Sequence, residues 1–248
     1  MPGYIYYLIL AAASIALAAF VFYKHKAYSK LITFYLSSVM VAYCGEVLAL
    51  ILLNAYSYQL GIDIDPFAEG ILAHLITNST VWPAVAVFVA AYSRRFRWIF
   101  VISVIFILLD ILFIQLGTYE HNWWQSWMSG VAIFIYCIAM RFWYSKLEDS
   151  RFKILRFITF SFACTVIMFI PSAILLLAGK EFYRIGVYTD MNKDSVFFSF
   201  LYHSIFAPLC TFLLCVLKKW YFKLIPFLLF FAGDYLLMVL GISKLTDG

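Results

Sequence analysis

Charged residues are scarce in this chain: Asp, Glu, Lys and Arg make up 12% of its 248 residues, against 65% hydrophobic and 21% aromatic. A soluble domain carries about a quarter of its residues charged, so the composition excludes that class and predicts a multi-pass membrane protein. Long polar stretches are lacking too. The longest connections, around 56–70 and 179–194, are too short for a soluble domain, which confines any activity to the bilayer or its faces. There is no HExxH, no G-x-S-x-G and no P-loop, so no cofactor is expected. The five cysteines, Cys44, Cys137, Cys164, Cys210 and Cys215, show no metal spacing and read as small apolar packers. No Lys or Arg precedes the first apolar stretch, which runs instead into Lys24, His25 and Lys26. That reverses the charge order of a secretory signal and predicts a retained first helix.

What is present is hydrocarbon-spanning length. About 20 apolar residues make one crossing, and eight segments reach that: 4–23, 31–55, 71–93, 97–117, 127–145, 154–178, 195–217 and 220–242. Fourteen of the 18 basic residues flank the connections after helices one, three, five and seven, Arg94 and Arg95 among them. The positive-inside rule then puts both termini outside. The net charge of +5 is thus a topology signal and implies no nucleic acid.

A pattern is written twice. Ser79-Thr80-Val81-Trp82-Pro83, Asp110 and Gly117 are echoed by Ser204-Ile205-Phe206-Ala207-Pro208, Asp234 and Gly241 at offsets of 125 or 124. Duplication is the simplest cause. It predicts an all-α protein of two four-helix repeats, 1–124 and 125–248, parallel because four is even, and related by an axis along the membrane normal. A fused dimer whose halves merely pack is the alternative. Proline removes an N–H and clashes with the carbonyl four residues earlier, so kinks are expected at Pro83, Pro171 and Pro208, with the carbonyls of Ser79 and Ser204 freed.

Ionisable groups within spans are expensive and mark candidate sites. Glu46, His74, Asn78, Asp110, His203 and Asp234 fall at similar depth. Spacing by four puts His74, Asn78 and Trp82 on one stripe. Short loops between neighbouring helices suggest Asn78 or His74 near Asp110, and His203 near Asp234; Gly117 and Gly241 would admit a close backbone on the aspartate face. Such groups serve either as interhelical glue, as a path for a small solute or protons, or as a catalytic set. Glu46 has no counterpart in the second half, where Ser172 aligns with it. Trp123 and Trp124 suit an outer aromatic belt; with Glu120 and His121 they also suit the outer mouth of a cavity.

Within residues 72–145, Asn78, Pro83, the basic Arg94-Arg95 turn, the acid of the next helix and Tyr119-Glu120-His121-Asn122-Trp123-Trp124 followed by Ser126 carry a resemblance. This third of the chain resembles a family of uncharacterised small multi-pass membrane proteins of endospore-forming bacteria. The resemblance implies a bacterial cell-membrane protein and no particular activity. The leading expectation is a protein that binds or passes a small solute or protons through an outward-facing polar site. The alternatives are a non-catalytic subunit or sensor packing against another copy or a partner membrane protein, and a membrane-embedded lipid-modifying enzyme.

Overall fold

The computed structural model describes residues 2–62, 64–92, 96–147, 149 and 151–245; Arg94 and Arg95 lie outside them. Its eight helices are α1 (Gly3–His25), α2 (Tyr28–Glu46), α3 (Pro66–Tyr92), α4 (Phe96–Gln115), α5 (Ser126–Leu147), α6 (Lys153–Leu177), α7 (Met191–Val216) and α8 (Ile225–Val239). A π-helical turn, Val47–Leu52, extends α2, and a 3₁₀ turn, Trp220–Leu224, precedes α8. With these extensions all eight are long and apolar enough to cross a membrane. The chain is therefore read as an integral membrane protein.

Two small antiparallel ladders accompany the helices. Strand β1 (Tyr56–Tyr58) pairs with β2 (Tyr119–His121), and β3 (Glu181–Tyr183) with β4 (Ser243–Leu245). Backbone N–H and C=O groups near a bilayer need partners from the protein, and the ladders supply them where the helices stop. Each returning strand follows a helix closed by a left-handed glycine. Gly117 (φ 68°) and Gly241 (φ 70°) donate to the carbonyls of Ile114 and Met238, while Thr118 and Ile242 donate back to Phe113 and Leu237. These are helix-ending turns of the Schellman type. The two glycines therefore do not admit a neighbouring backbone, as the sequence suggested; a side chain added at either meets nothing within 4 Å. Their requirement is the positive φ.

The chain forms two compact units, Met1–Arg156 and Phe157–Gly248. In the first, α1 and α2 pack on α3, and α5 packs on α4 and α3. The α3 face is built of Ala84, Ala86, Val87 and Val89, all 0% exposed, and meets Val21, Phe34, Ile99 and Ile133 in one apolar core. Small residues let helices approach closely where no hydrophobic force drives them together. Gly130 of α5 does the same against α4, where an added Cβ would fall 2.6 Å from Ile107. Glu69 accepts the Gly61 and Ile62 amides and so ties the loop before α3 to that helix.

In the second unit α7 packs on α8 and β3. Asp194, 1% exposed, accepts four backbone amides: Ile185 and Gly186 on Oδ2, Val187 and Tyr188 on Oδ1, at 2.8–3.0 Å. The side chain of Asp190 caps α7 by accepting from the Lys193 amide at 2.9 Å.

Candidate functional site

The site begins where α2 gives way to its π-helical turn. Glu46 is the last α-helical residue of that span and is 6% exposed; wider turns of this kind are frequent at functional sites. The alternation of β1 points Tyr56 and Tyr58 to one side, and both hydroxyls reach the carboxylate. Tyr56 donates to Oε2 and Tyr58 to Oε1, each at 2.9 Å. Burial, and after it the neighbouring Glu46 charge, push both phenols well above the ordinary tyrosine range. They stay protonated and remain donors.

From α3, His74 places Nδ1 3.9 Å from Glu46 Oε1. One turn on, Asn78 Nδ2 donates to His74 Nδ1 at 2.6 Å, and the same amide reaches the Glu46 carboxylate. The carboxylate, which only accepts, fixes which end of the amide is nitrogen. Asn78 is 1% exposed, and its Oδ1 has no hydrogen-bond partner.

Asp110 of α4 finds its neighbour in an unforeseen place. The Gly117 turn sends β2 back along α4, and His121 Nε2 comes to 3.2 Å from Asp110 Oδ2. The expected pairing of Asp110 with Asn78 or His74 is replaced by this one, because α3 turns those residues towards Glu46. The contact is not directional enough for a hydrogen bond, so Asp110 Oδ2 has none.

Glu46, Asn78 and Asp110 line one cavity of about 380 Å³ in the first unit. Nine of its 24 lining residues are aromatic, and none is Lys, Arg or His. Trp82 stands edge-on to Tyr136 (5.0 Å between centroids) and to Phe106 (5.7 Å), which fixes one wall. Tyr7, Tyr56, Tyr58, Tyr119 and Trp124 line the strand end. Tyr7 is held by a 2.8 Å hydrogen bond to the Thr118 carbonyl, and Trp124 Nε1 donates to Ser129 Oγ at 2.9 Å.

The segment around Trp123 has a definite task. The amides of Asn122, Trp123 and Trp124 all point at the Ala55 carbonyl, at 3.0–3.3 Å. Asn122 Nδ2 donates to the Asn54 carbonyl, and Trp123 Nε1 to that of Leu53. They cap the carbonyls left open where the π turn ends. Glu120 accepts from Gln59 Nε2 at 2.8 Å. Of the four residues suggested for an outer mouth, Trp124 lines the cavity; Trp123, His121 and Glu120 hold its surroundings in place.

His203 and Asp234 belong to the second unit. His203 Nδ1 donates to the Ser199 carbonyl at 2.7 Å, while Asp234 accepts from Tyr202 at 2.9 Å. The expected His203–Asp234 pair is thus a Tyr202–Asp234 pair, formed by the adjacent residue. Ser172, the counterpart of Glu46, donates to Glu181 Oε2 at 3.2 Å and contacts Ser199 Oγ at 3.1 Å; Tyr183 donates to Glu181 Oε1 at 2.7 Å. A carboxylate is present here after all, carried by the strand.

All three prolines lie inside continuous helices. At Pro83 the freed Ser79 carbonyl accepts from Tyr35 at 2.6 Å, and the Ser79 hydroxyl meets that of Tyr43 at 2.6 Å. Tyrosines of α2, unmentioned by the sequence pattern, thus fill the gap. Among the described residues no three His, Cys, Asp or Glu side chains form a metal-holding group. No family model, curated protein or solved structure matches this chain.

Proposed function

We propose that this chain is a membrane protein of two parallel four-helix repeats, with both termini outside, that binds a small solute in the cavity of its first unit. One observation carries the proposal: Glu46, Asn78 and Asp110, three polar groups costly to place in a bilayer, line a single cavity of about 380 Å³. That volume is in the range of small-molecule sites, which combine apolar walls with a few convergent polar groups. A proton path needs no such space. Basic residues such as Lys24, Lys26, Lys30, Arg97 and Arg141 sit at the opposite helix ends, which favours a cavity facing outward. The resemblance of residues 72–145 favours a bacterial cell membrane.

The duplication draws support from the backbone as well as the sequence. Positive φ occurs at Asn54 and Gly179, Gly61 and Gly186, and Gly117 and Gly241, pairs separated by 125, 125 and 124 residues. The loop-holding acids Glu69 and Asp194 are 125 apart, as are the first residues of β1 and β3. Glu181 takes the place of Tyr56 at an offset of 125, and Ser172 that of Glu46 at 126, the offset that holds before the π-helical turn. Acid and hydroxyl have changed places across one contact, which accounts for the missing counterpart of Glu46.

The test uses Gly45, which lines the cavity and where an added side chain meets nothing within 4 Å. The Cβ of Gly45→Phe meets no neighbour, and its ring is intended to occupy the cavity. A panel of small neutral, anionic and cationic solutes is expected to contain at least one that raises the melting temperature of the native protein and leaves that of the variant unchanged.

A further inference from the structure

Resting on that reading, we infer that the ligand class is a small protonated organic amine. The charge of the lining comes first. Two carboxylates, Glu46 and Asp110, face the cavity wall, and no Lys, Arg or His does. An anion would meet like charge in a medium of low dielectric, where repulsion is strong.

The second observation concerns hydrogen bonding. Asn78 Oδ1 and Asp110 Oδ2 are buried oxygens without a hydrogen-bond partner. Both are acceptors, and leaving an acceptor buried and unmet costs about 1–3 kcal/mol. Of the donors nearby, the Tyr56 and Tyr58 hydroxyls serve Glu46, Tyr7 serves Thr118 and Trp124 Nε1 serves Ser129; His121 Nε2, 3.2 Å from Asp110 Oδ2, makes no hydrogen bond to it. The unmet capacity is thus for a donor, and an ammonium brings N–H groups and positive charge together.

The walls supply the third. Trp82, Trp124, Tyr56, Tyr58 and Tyr119 surround the acids, and aromatic faces attract a cation, more so when it is desolvated. The same walls bury an apolar substituent. A bare inorganic cation fits poorly, because it needs a close cage of six or so oxygens. A quaternary ammonium satisfies the rings but offers no N–H to Asn78 or Asp110, so it ranks below a primary amine.

The experiment measures binding of four probes to the purified full chain in lipid nanodiscs by equilibrium dialysis. Phenethylamine is the amine, 2-phenylethanol its neutral analogue, phenylacetate the anion, and phenyltrimethylammonium the quaternary ion. Phenethylamine is expected to bind roughly tenfold or more tighter than the alcohol, with the anion undetectable and the quaternary ion between. Asp110→Asn is expected to abolish the preference for amine over alcohol. Because the native comparison needs no variant, misfolding of Asp110→Asn leaves the test intact. Binding of the alcohol or the anion as tightly as the amine overturns the amine assignment and leaves the solute cavity standing. Binding of none of the four also overturns it, and the cavity is then decided by the wider panel on the native protein and Gly45→Phe.

Discussion

His121 Nε2 lies 3.2 Å from Asp110 Oδ2, so the strand that turns back after α4 meets the acid of the helix it has just left. The contact is local in sequence and needs only the left-handed Gly117 turn to form. It should be energetically coupled. His121→Leu and Asp110→Asn, singly and together, are expected to show a coupling of about 1 kcal/mol in a double-mutant cycle of unfolding in bicelles. Strict additivity would remove the pair from the account.

The tyrosines of the strands give a pH dependence. Tyr56, Tyr58 and Tyr119 are all held well above the ordinary value of 10.0, mainly by burial. A folded state that holds these protons more tightly than the unfolded chain is stabilised below the unfolded value and loses that stability as pH rises past it. The melting temperature is expected to be insensitive to these groups up to about pH 10 and to fall above it. Replacing Tyr56 and Tyr58 by Phe should flatten the alkaline fall.

The capping segment is predicted to be structural. Trp123→Phe removes the donor to the Leu53 carbonyl, and Asn122→Ala the donor to that of Asn54. Each should cost about 1 kcal/mol and speed hydrogen exchange in β1, with solute affinity changed less than the stability. Loss of affinity without loss of protection would assign these residues to the site itself.

Asp194 holds four amides of the second unit on two oxygens. Asparagine keeps one acceptor and turns an N–H₂ towards the other pair. Asp194→Asn should destabilise by about 2 kcal/mol or more in thermal unfolding, and solute binding per folded molecule should be unchanged.

The eight spans were legible because hydrocarbon thickness imposes a length that composition alone reveals; depth groups Glu46, His74, Asn78, Asp110, His203 and Asp234, of which Glu46, Asn78 and Asp110 line the cavity. The partners were not legible. Asp110 meets His121 through a turn whose geometry hangs on one φ angle, and three-residue strands such as Tyr56–Tyr58 are too short to show a period. The tyrosine alternation at 56 and 58 was the available signal for the donors to Glu46. The π turn after Glu46 has no sequence signature beyond an ordinary apolar run, Val47–Leu52. Glycine in a span serves both packing and helix ends, so the sequence leaves Gly117 between the two and only its backbone, at φ 68°, decides for the helix end.

The proposed outward orientation of the cavity is open to a chemical test of sidedness. Ala132 of α5 lines it. In a background with the five cysteines replaced, Ala132→Cys should react with a membrane-impermeant thiol reagent added outside intact cells, and Gly45→Phe should slow that reaction. Reaction from the cytoplasmic side alone would reverse the orientation.

The most direct measurement is the melting temperature of the purified protein across the solute panel, native beside Gly45→Phe, followed by equilibrium dialysis of whichever solute shifts it. A saturable rise in the native protein, with one solute bound per chain, is expected, and neither effect in the variant. Equal shifts in both proteins, or none in either, would contradict a solute site in this cavity.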